Sequence, residues 1–196
     1  MSHTAPHPIV AAAARGELPS WTEAGPSRRA HMERVARLMR TWAQDLGESP
    51  AEADRWAAAG WLHDALREAD PEKLRPMLGP DLHDLPGAVL HGPAAAILLG
   101  REGVEDRSLL LAVAFHTLGH PDFDRLGKAL SAADFLEPGR TSLPDLRDPL
   151  RARMPQELEP VLKDIMAARI RNLIHRGHPI SAYTMRCWNR VVGHHD

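Results

Sequence analysis

Trp61-Leu62-His63-Asp64 places a histidine beside an aspartate within a predicted helix rich in alanine and tryptophan. A single His-Asp pair is a weak signal, because the chain has 12 His and two further pairs, His83-Asp84 in a polar segment and His195-Asp196 at its end. Position separates them, since polar side chains among apolar neighbours need a partner, and a metal ion suits both residue types. We therefore expect the first pair to be functional and His83-Asp84 to be inert.

The composition around this pair favours helices over strands. Ala and Leu together number 54, whereas Val and Ile together number 14. Apolar spacing and capping residues predict helices over about residues 27–46, 50–68, 71–79, 90–99, 107–116, 122–137 and 156–176, and a short one after Pro179. We expect residues 1–26 to form an arm that lies on the domain or frays. The proline-containing segment 141–155 is expected to be a long surface connection, so the prediction is a single all-α domain.

Charge, cysteine content and hydropathy exclude several classes of protein. The chain has 24 Lys+Arg against 26 Asp+Glu and no lysine-rich tract, which disfavours general nucleic-acid binding. Its longest apolar run, Leu109–Phe115, is far shorter than the roughly 20 residues that span a bilayer, so no membrane segment is expected. The single Cys187 excludes an internal disulfide and fits a reducing compartment. We expect a cytoplasmic protein.

Four other potential ligands share the apolar faces or ends of separate predicted helices: His31, His91, His116 and Asp134. With His63 and Asp64 they make four imidazoles and two carboxylates, more than one metal ion normally takes from a protein. Such a donor set suits Mn, Fe, Co, Ni, Zn or Mg. We predict two ions bridged by Asp64, one bound by His31, His63, Asp64 and Asp134, the other by Asp64, His91 and His116.

The motifs extend well beyond this set: Arg28-x-x-His31, Gly60-Trp61-Leu62-His63-Asp64, Leu90-His91-Gly92-Pro93, Phe115-His116-Thr117-Leu118-Gly119 and Lys128–Arg140 with its Ala-Asp-Phe-Leu-Glu-Pro-Gly-Arg run. Together they resemble the HD superfamily of metal-dependent phosphohydrolases, and within it the YqeK-like symmetrical diadenosine tetraphosphatases. The resemblance implies an HD-domain helical bundle with its metal site between helices. That domain would cover residues 27–196, with core motifs in 28–140 and closing helices in 156–192.

The same resemblance implies an activity, a metal and a substrate site. The expected reaction is hydrolysis of a phosphoanhydride bond in a nucleotide, with diadenosine tetraphosphate as substrate and two ADP as products. Iron is the metal that the family suggests, while the ligand set alone also accepts Mn or Co. The expected catalytic residues are Asp64, as the central carboxylate, with Arg67, Lys128 and Arg140. The expected phosphate and substrate contacts are Arg67, Thr117, Lys128 and Arg140.

Other interpretations remain open for these residues and for the chain. Thr117 and Glu137 equally fit a role at helix ends, and Arg67, Lys128 and Arg140 equally fit solvated or ion-paired surface positions. A di-iron oxygenase of the HD type is one alternative function. A non-catalytic metal- or nucleotide-binding module is another, favoured by Leu118 and His120 where the family usually has Thr and Arg. The oligomeric state is also open, a homodimer included.

Overall fold

The computed structural model describes residues 6–193, and within them it is helical with no strand. Two short 3₁₀ turns, Arg75–Met77 and Gly87–Val89, join the central elements. The helices are α1 (Pro8–Ala13), α2 (Pro26–Asp45), α3 (Pro50–Leu62), α4 (Pro71–Leu74), α5 (Pro80–His83), α6 (His91–Arg101), α7 (Arg107–Phe115), α8 (Arg125–Leu136), α9 (Pro144–Ala152), α10 (Leu158–His175) and α11 (Ala182–Val192). None of the described helices is both long enough and apolar enough to cross a membrane.

Helices α2 and α3 form a hairpin that packs unusually closely. The side chain of Ser49 caps α3 by accepting a hydrogen bond from the Glu52 N–H, and Pro50 occupies the first turn. One turn before the end of α3, a Cβ on Gly60 would lie 2.5 Å from the Cα of Ala36 in α2. Only glycine allows the two backbones to approach this far.

Helices α6 and α7 form a second hairpin, which also has a capped helix start and a glycine at the point of closest backbone approach. Asp106 caps α7 by accepting from the Leu109 N–H and also binds Arg55 of α3 through two hydrogen bonds of 2.5 and 2.8 Å. A Cβ on Gly92 would lie 2.7 Å from the carbonyl oxygen of Ala114. Helix α8 packs against both hairpins, and α10 covers its other side. The buried space between the two hairpins and α8 is where the predicted ligands meet.

Three details of the predicted secondary structure differ from the structure. Helix α3 ends at Leu62 rather than near Glu68, because residues 63–68 turn and exchange backbone hydrogen bonds with Glu23. The predicted surface connection 141–155 contains α9, in which Arg147 and Leu150 are buried. Pro144 lies in its first turn, where proline is tolerated. Segment 1–26 contains α1, whose buried Val10 and Ala13 join the core beside α3.

Candidate metal centre

All six predicted ligands converge in one buried cluster, and each lies within a helix or at its end. α2 carries His31, α6 begins with His91, and α8 carries Asp134. His63 and His116 are the residues that cap the carboxyl ends of α3 and α7, and Asp64 follows His63. The side chains of all six are buried. The sequence prediction that each ligand lies on the apolar face or at the end of a separate helix agrees with this placement.

The cluster divides into two histidine pairs that share Asp64. The Nε2 atoms of His31 and His63 are 3.3 Å apart, and Oδ2 of Asp64 lies 3.6 and 3.5 Å from them. The Nε2 atoms of His91 and His116 are 3.2 Å apart, and Oδ1 of Asp64 lies 3.1 and 3.6 Å from them. Each carboxylate oxygen thus faces one pair.

Three of the four rings are fixed by the backbone of their own turn. In each, Nδ1 donates to the carbonyl oxygen three residues earlier, which places a proton on Nδ1 and directs Nε2 into the cluster. The acceptors are Gly60 for His63 at 2.7 Å, Ala88 for His91 at 3.1 Å and Val113 for His116 at 2.9 Å. Ring orientation at these positions is a local property of the chain.

The geometry of the two pairs fits metal ions. Two imidazoles that are neutral and protonated at Nδ1 cannot hydrogen-bond to each other through Nε2, so the close approach within each pair needs a cation between them, either a proton or a metal ion. Two nitrogen ligands about 2.1 Å from one ion, at angles of about 90–109°, lie about 3.0–3.4 Å apart. The observed separations of 3.3 and 3.2 Å match this range. The groups His31-His63-Asp64 and Asp64-His91-His116 could each hold one ion.

The fourth ring, His31, is held by a carboxylate instead of a carbonyl. Its Nδ1 lies 3.1 Å from Oε1 of Glu137, and Oε2 of the same carboxylate accepts from Nε of Arg34 at 2.6 Å and from the Gly139 N–H at 2.7 Å. Burial would raise the pKa of Glu137, but these bonds outweigh it and lower the pKa. Glu137 is therefore an anion that orients His31, which places it in the site as well as at the end of α8.

Arginines surround the two aspartates of the cluster. Arg28 donates from Nη1 to Oδ2 of Asp64 at 2.7 Å. Arg140 donates from Nη2 to Oδ1 of Asp134 at 2.6 Å, and Arg169 from Nη2 to Oδ2 of Asp134 at 3.4 Å. Oδ1 of Asp134 is also 3.3 Å from Nε2 of His31. This carboxylate therefore contacts both the first histidine pair and the surrounding positive charge.

The charge states of the cluster suit cation binding. Burial would raise the pKa of Asp64, but the neighbouring His63, His116 and His91 outweigh it and hold the pKa well below its usual value. The pKa of Asp134 is likewise held low against burial, by His31 and Arg140 among others. Burial lowers the pKa of His91 to about 4, with Asp64 opposing this shift. Near pH 7 the cluster therefore offers two carboxylates and, at His91, a neutral imidazole.

The predicted substrate residues are placed unequally. Arg140 touches the cluster through Asp134, and the charge of the half-buried Arg67 contributes to the lowered pKa of His91. Thr117 lines a cavity of about 220 Å³ beside the cluster. Lys128 points elsewhere, because its Nζ binds Glu159 at 2.5 Å and its side chain lines a different cavity of about 760 Å³. The structure does not bring Lys128 together with the cluster.

Two residues of the site have no role in the sequence prediction. Arg28 could have been found, since it lies three residues before His31 and so on the same face of α2. Arg169 comes from α10, far along the chain, and its spacing from any motif carries no signal. Its Nη1 also donates to Oγ of Ser131 at 3.0 Å and to the carbonyl oxygen of His116 at 3.2 Å.

Within residues 6–193, the remaining histidines and the cysteine lie outside the cluster. His83 is exposed at the end of the short helix α5, and His7 accepts the Ile9 N–H at the start of α1. The pair His195-Asp196 falls outside the described residues. Burial raises the pKa of the Cys187 thiol to about 11, which keeps it protonated and fits a structural role.

A known protein family matches the part of the chain that contains the cluster. The sequence profile of the HD domain matches residues 28–139, a span that contains all six cluster residues. The chain belongs to the HD domain family. The sequence resemblance and the expected all-α HD fold are both confirmed.

Curated relatives of this HD protein share a name. A protein of Staphylococcus aureus named "Bis(5'-nucleosyl)-tetraphosphatase, symmetrical" is 31% identical over 139 residues, which cover 67% of this chain and 71% of the relative. A Bacillus subtilis protein of the same name is 26% identical over 150 residues, covering 72% of this chain and 78% of that protein.

A solved structure extends the likeness to nearly the whole HD chain. It is described as a predicted HD superfamily hydrolase involved in NAD metabolism, from Clostridium acetobutylicum. The TM-score is 0.76 at 25% identity, over 94% of this chain and 95% of the other. The likeness therefore extends beyond residues 28–139, the part that the HD profile matches.

Proposed function

We propose that this HD protein is a metal-dependent hydrolase that cleaves a phosphoanhydride bond of a dinucleoside polyphosphate, with diadenosine tetraphosphate as substrate and two ADP as products. The observation that carries the proposal is the sharing of Asp64 between two histidine pairs inside an HD domain. The name of the curated relatives supports this choice of substrate class. The metal ligands in this proposal are the six residues of the cluster.

The surroundings of the cluster suit an anionic substrate. Bound metal ions would supply Lewis acidity and a lowered pKa for water. The guanidinium groups of Arg28, Arg140 and Arg169 add positive charge around the carboxylates. This positive charge suits an anionic polyphosphate.

Different arginines would bind different phosphate groups of the substrate. The Arg28 side chain is 27% exposed, so the outer part of this guanidinium would face a phosphate while Nη1 holds Asp64. Arg140 has the most exposed side chain of the three, 36% against 27% for Arg28 and 20% for Arg169. We therefore assign Arg140 to a phosphate farther from the bond that breaks. Arg67 would bind phosphate beside His91, and Thr117 would contact the substrate as it enters.

Iron is the proposed native metal, with Mn and Co as substitutes that the donor set also accepts. The test is metal analysis of freshly purified protein, followed by a nucleotide panel assayed with each of the three metals, with and without oxygen. ADP as the sole product of diadenosine tetraphosphate, independent of oxygen, is the expected result. A requirement for oxygen would indicate an oxygenase, and tight nucleotide binding without turnover would indicate a binding module.

A matched pair of variants tests the bridging role of Asp64. Asp64→Ala should abolish both metal occupancy and hydrolysis, because both histidine pairs lose their shared carboxylate. Asp84→Ala alters the exposed His83-Asp84 pair and should leave both unchanged. Retention of two ions per chain by Asp64→Ala would show that the carboxylate does not bridge. A cytoplasmic location and a homodimer stay predictions, to be checked by fractionation and by mass in solution.

A further inference from the structure

The cavity of about 220 Å³ shares a wall with the metal centre. Thr117, which lines it, directly follows His116. Arg169 also lines it and reaches Asp134 and the carbonyl oxygen of His116. A group inside this cavity is therefore separated from the cluster by one layer of side chains. A base in the cavity and phosphates at the cluster would therefore be neighbours across Thr117 and Arg169.

The lining suits one flat heterocycle. Most of it is apolar, with Leu118, Leu162, Met166 and Leu173 among its side chains. Ligand sites for whole drug-sized molecules occupy about 300–1,000 Å³, so this smaller cavity fits one part of a dinucleotide. The larger cavity of about 760 Å³ near Lys128 is less suitable, because its charges pair with each other, as in Lys128–Glu159 and Arg153–Asp164.

Most polar groups in the smaller cavity already have partners. Oγ1 of Thr184 donates to the carbonyl oxygen of Leu118 at 2.8 Å, and Oγ of Ser131 accepts from Arg169 at 3.0 Å. The side-chain amide of Asn172 has no hydrogen-bond partner among residues 6–193. Asn172 is exposed to solvent and lines the cavity. An amide offers one acceptor and one donor side by side, which matches the N6 amino group and N7 of adenine.

We propose that this cavity binds one base of the substrate and that Asn172 selects adenine over guanine. The inference rests on the proposed hydrolysis of dinucleoside polyphosphates and adds the residue that determines base preference. Guanine presents the keto oxygen O6 beside N7, two acceptors for which a single amide acceptor–donor pair is a poor match. Its N1–H and N2 amino groups instead suit a carboxylate. Asn172→Asp should therefore shift preference toward guanine.

The experiment compares Asn172→Asp and Asn172→Ala with Asn189→Asp. The control makes the same charge change on exposed α11, at a residue that lines neither of these cavities. Two ratios are measured on metal-loaded protein: kcat/KM for diadenosine against diguanosine tetraphosphate, and the Kd of ADP against that of GDP. Ratios cancel the general repulsion between an added carboxylate and phosphate. Asn172→Asp should shift both ratios toward guanine by roughly 5- to 150-fold, and Asn189→Asp should leave them unchanged.

The outcomes separate this inference from the proposed function. If the wild-type protein hydrolyses neither dinucleotide, the proposed function is wrong, and the ADP-to-GDP binding ratio still decides the base preference. If hydrolysis occurs and both Asn172 variants keep the wild-type ratios within about twofold, Asn172 does not determine the preference for adenine over guanine, and the inference is wrong. An equal shift in Asn189→Asp would assign the effect to surface charge and would also overturn the inference. Because Asn172 is exposed on α10, we expect both variants to fold.

Discussion

Gly60→Ala should damage the first histidine pair by separating the helices that carry it. The added Cβ would lie 2.5 Å from the Cα and 2.7 Å from the backbone nitrogen of Ala36, and neither backbone atom can rotate away. Carbon atoms in optimal contact are about 3.5–4.0 Å apart, so the α2 and α3 backbones must move apart by roughly 1 Å. The same displacement would widen the 3.3 Å separation between His31 and His63.

The magnitude follows from overpacking and from helix propensity. Overpacking a close-packed interior costs typically about 1–3 kcal/mol, whereas Gly→Ala inside a helix contributes about 0.8–1.0 kcal/mol of stabilisation. Because the contact here is backbone against backbone, we expect the upper part of that cost and a net loss of about 1–2 kcal/mol. For a chain of this size each kcal/mol corresponds to about 2–4 °C in Tm.

The assay combines thermal unfolding with metal titration, and Gly100→Ala is the matched control. Gly100 also lies within a helix, α6, but a Cβ there meets nothing within 4 Å. This control should keep or slightly raise Tm and leave metal binding unchanged. Gly60→Ala should lower Tm and weaken the first metal site at least tenfold. If Gly60→Ala matched Gly100→Ala in both measurements, the close approach of α2 and α3 would not be what sets the His31–His63 geometry.

Three further perturbations test other contacts of the site and its scaffold. Glu137→Ala removes the anion that orients His31 and should weaken metal binding by about 10- to 100-fold, measured by titration, while Glu137→Gln recovers part of the loss. Arg140→Ala should lower kcat/KM for the long polyphosphate by roughly ten- to hundredfold, mainly through KM; a lower Tm with unchanged kinetics would assign Arg140 to Asp134 alone. Burial would raise the pKa of Asp106, but hydrogen bonds from Arg55 and the Leu109 N–H outweigh burial and lower this pKa below its ordinary value of 3.8. The Asp106 carboxylate therefore stabilises the fold above about pH 4, and this stabilisation is lost as the pH falls further. Asp106→Asn should therefore show a smaller drop in Tm between about pH 5 and pH 3 than the wild type; an equal drop would contradict this.

The parts of this protein that the sequence predicts well are those determined locally. Ser49 and Asp106 start helices where their side chains cap the first turn, and both do so in the structure. The six cluster residues are also predictable, because each is a polar residue on an apolar helix face or end. Burial of such residues is costly without partners, so their common burial implies a common partner.

The parts that the sequence does not predict depend on distant contacts. Helix α9 has few apolar residues, but the guanidinium of Arg147 donates to backbone oxygens of Phe135 and Ser142 and lies over the Phe135 ring. Arginine stems and these bonds replace an apolar face, which periodicity cannot detect. Arg169 likewise reaches Asp134 only because α10 packs on α8. Lys128, on α8 itself, turns instead to Glu159 of α10.

The anchoring of His63, His91 and His116 to carbonyls three residues earlier has a consequence for the protein without metal. The rotamer entropy of these rings is lost when each turn forms, so ion binding does not have to supply it. This differs from a zinc finger, in which the ion itself drives folding. A chelator should therefore remove the metal and leave a folded helical protein. Its Tm should fall only by the amount that metal binding to the folded state had added. The folded protein can then exchange one metal ion for another without unfolding.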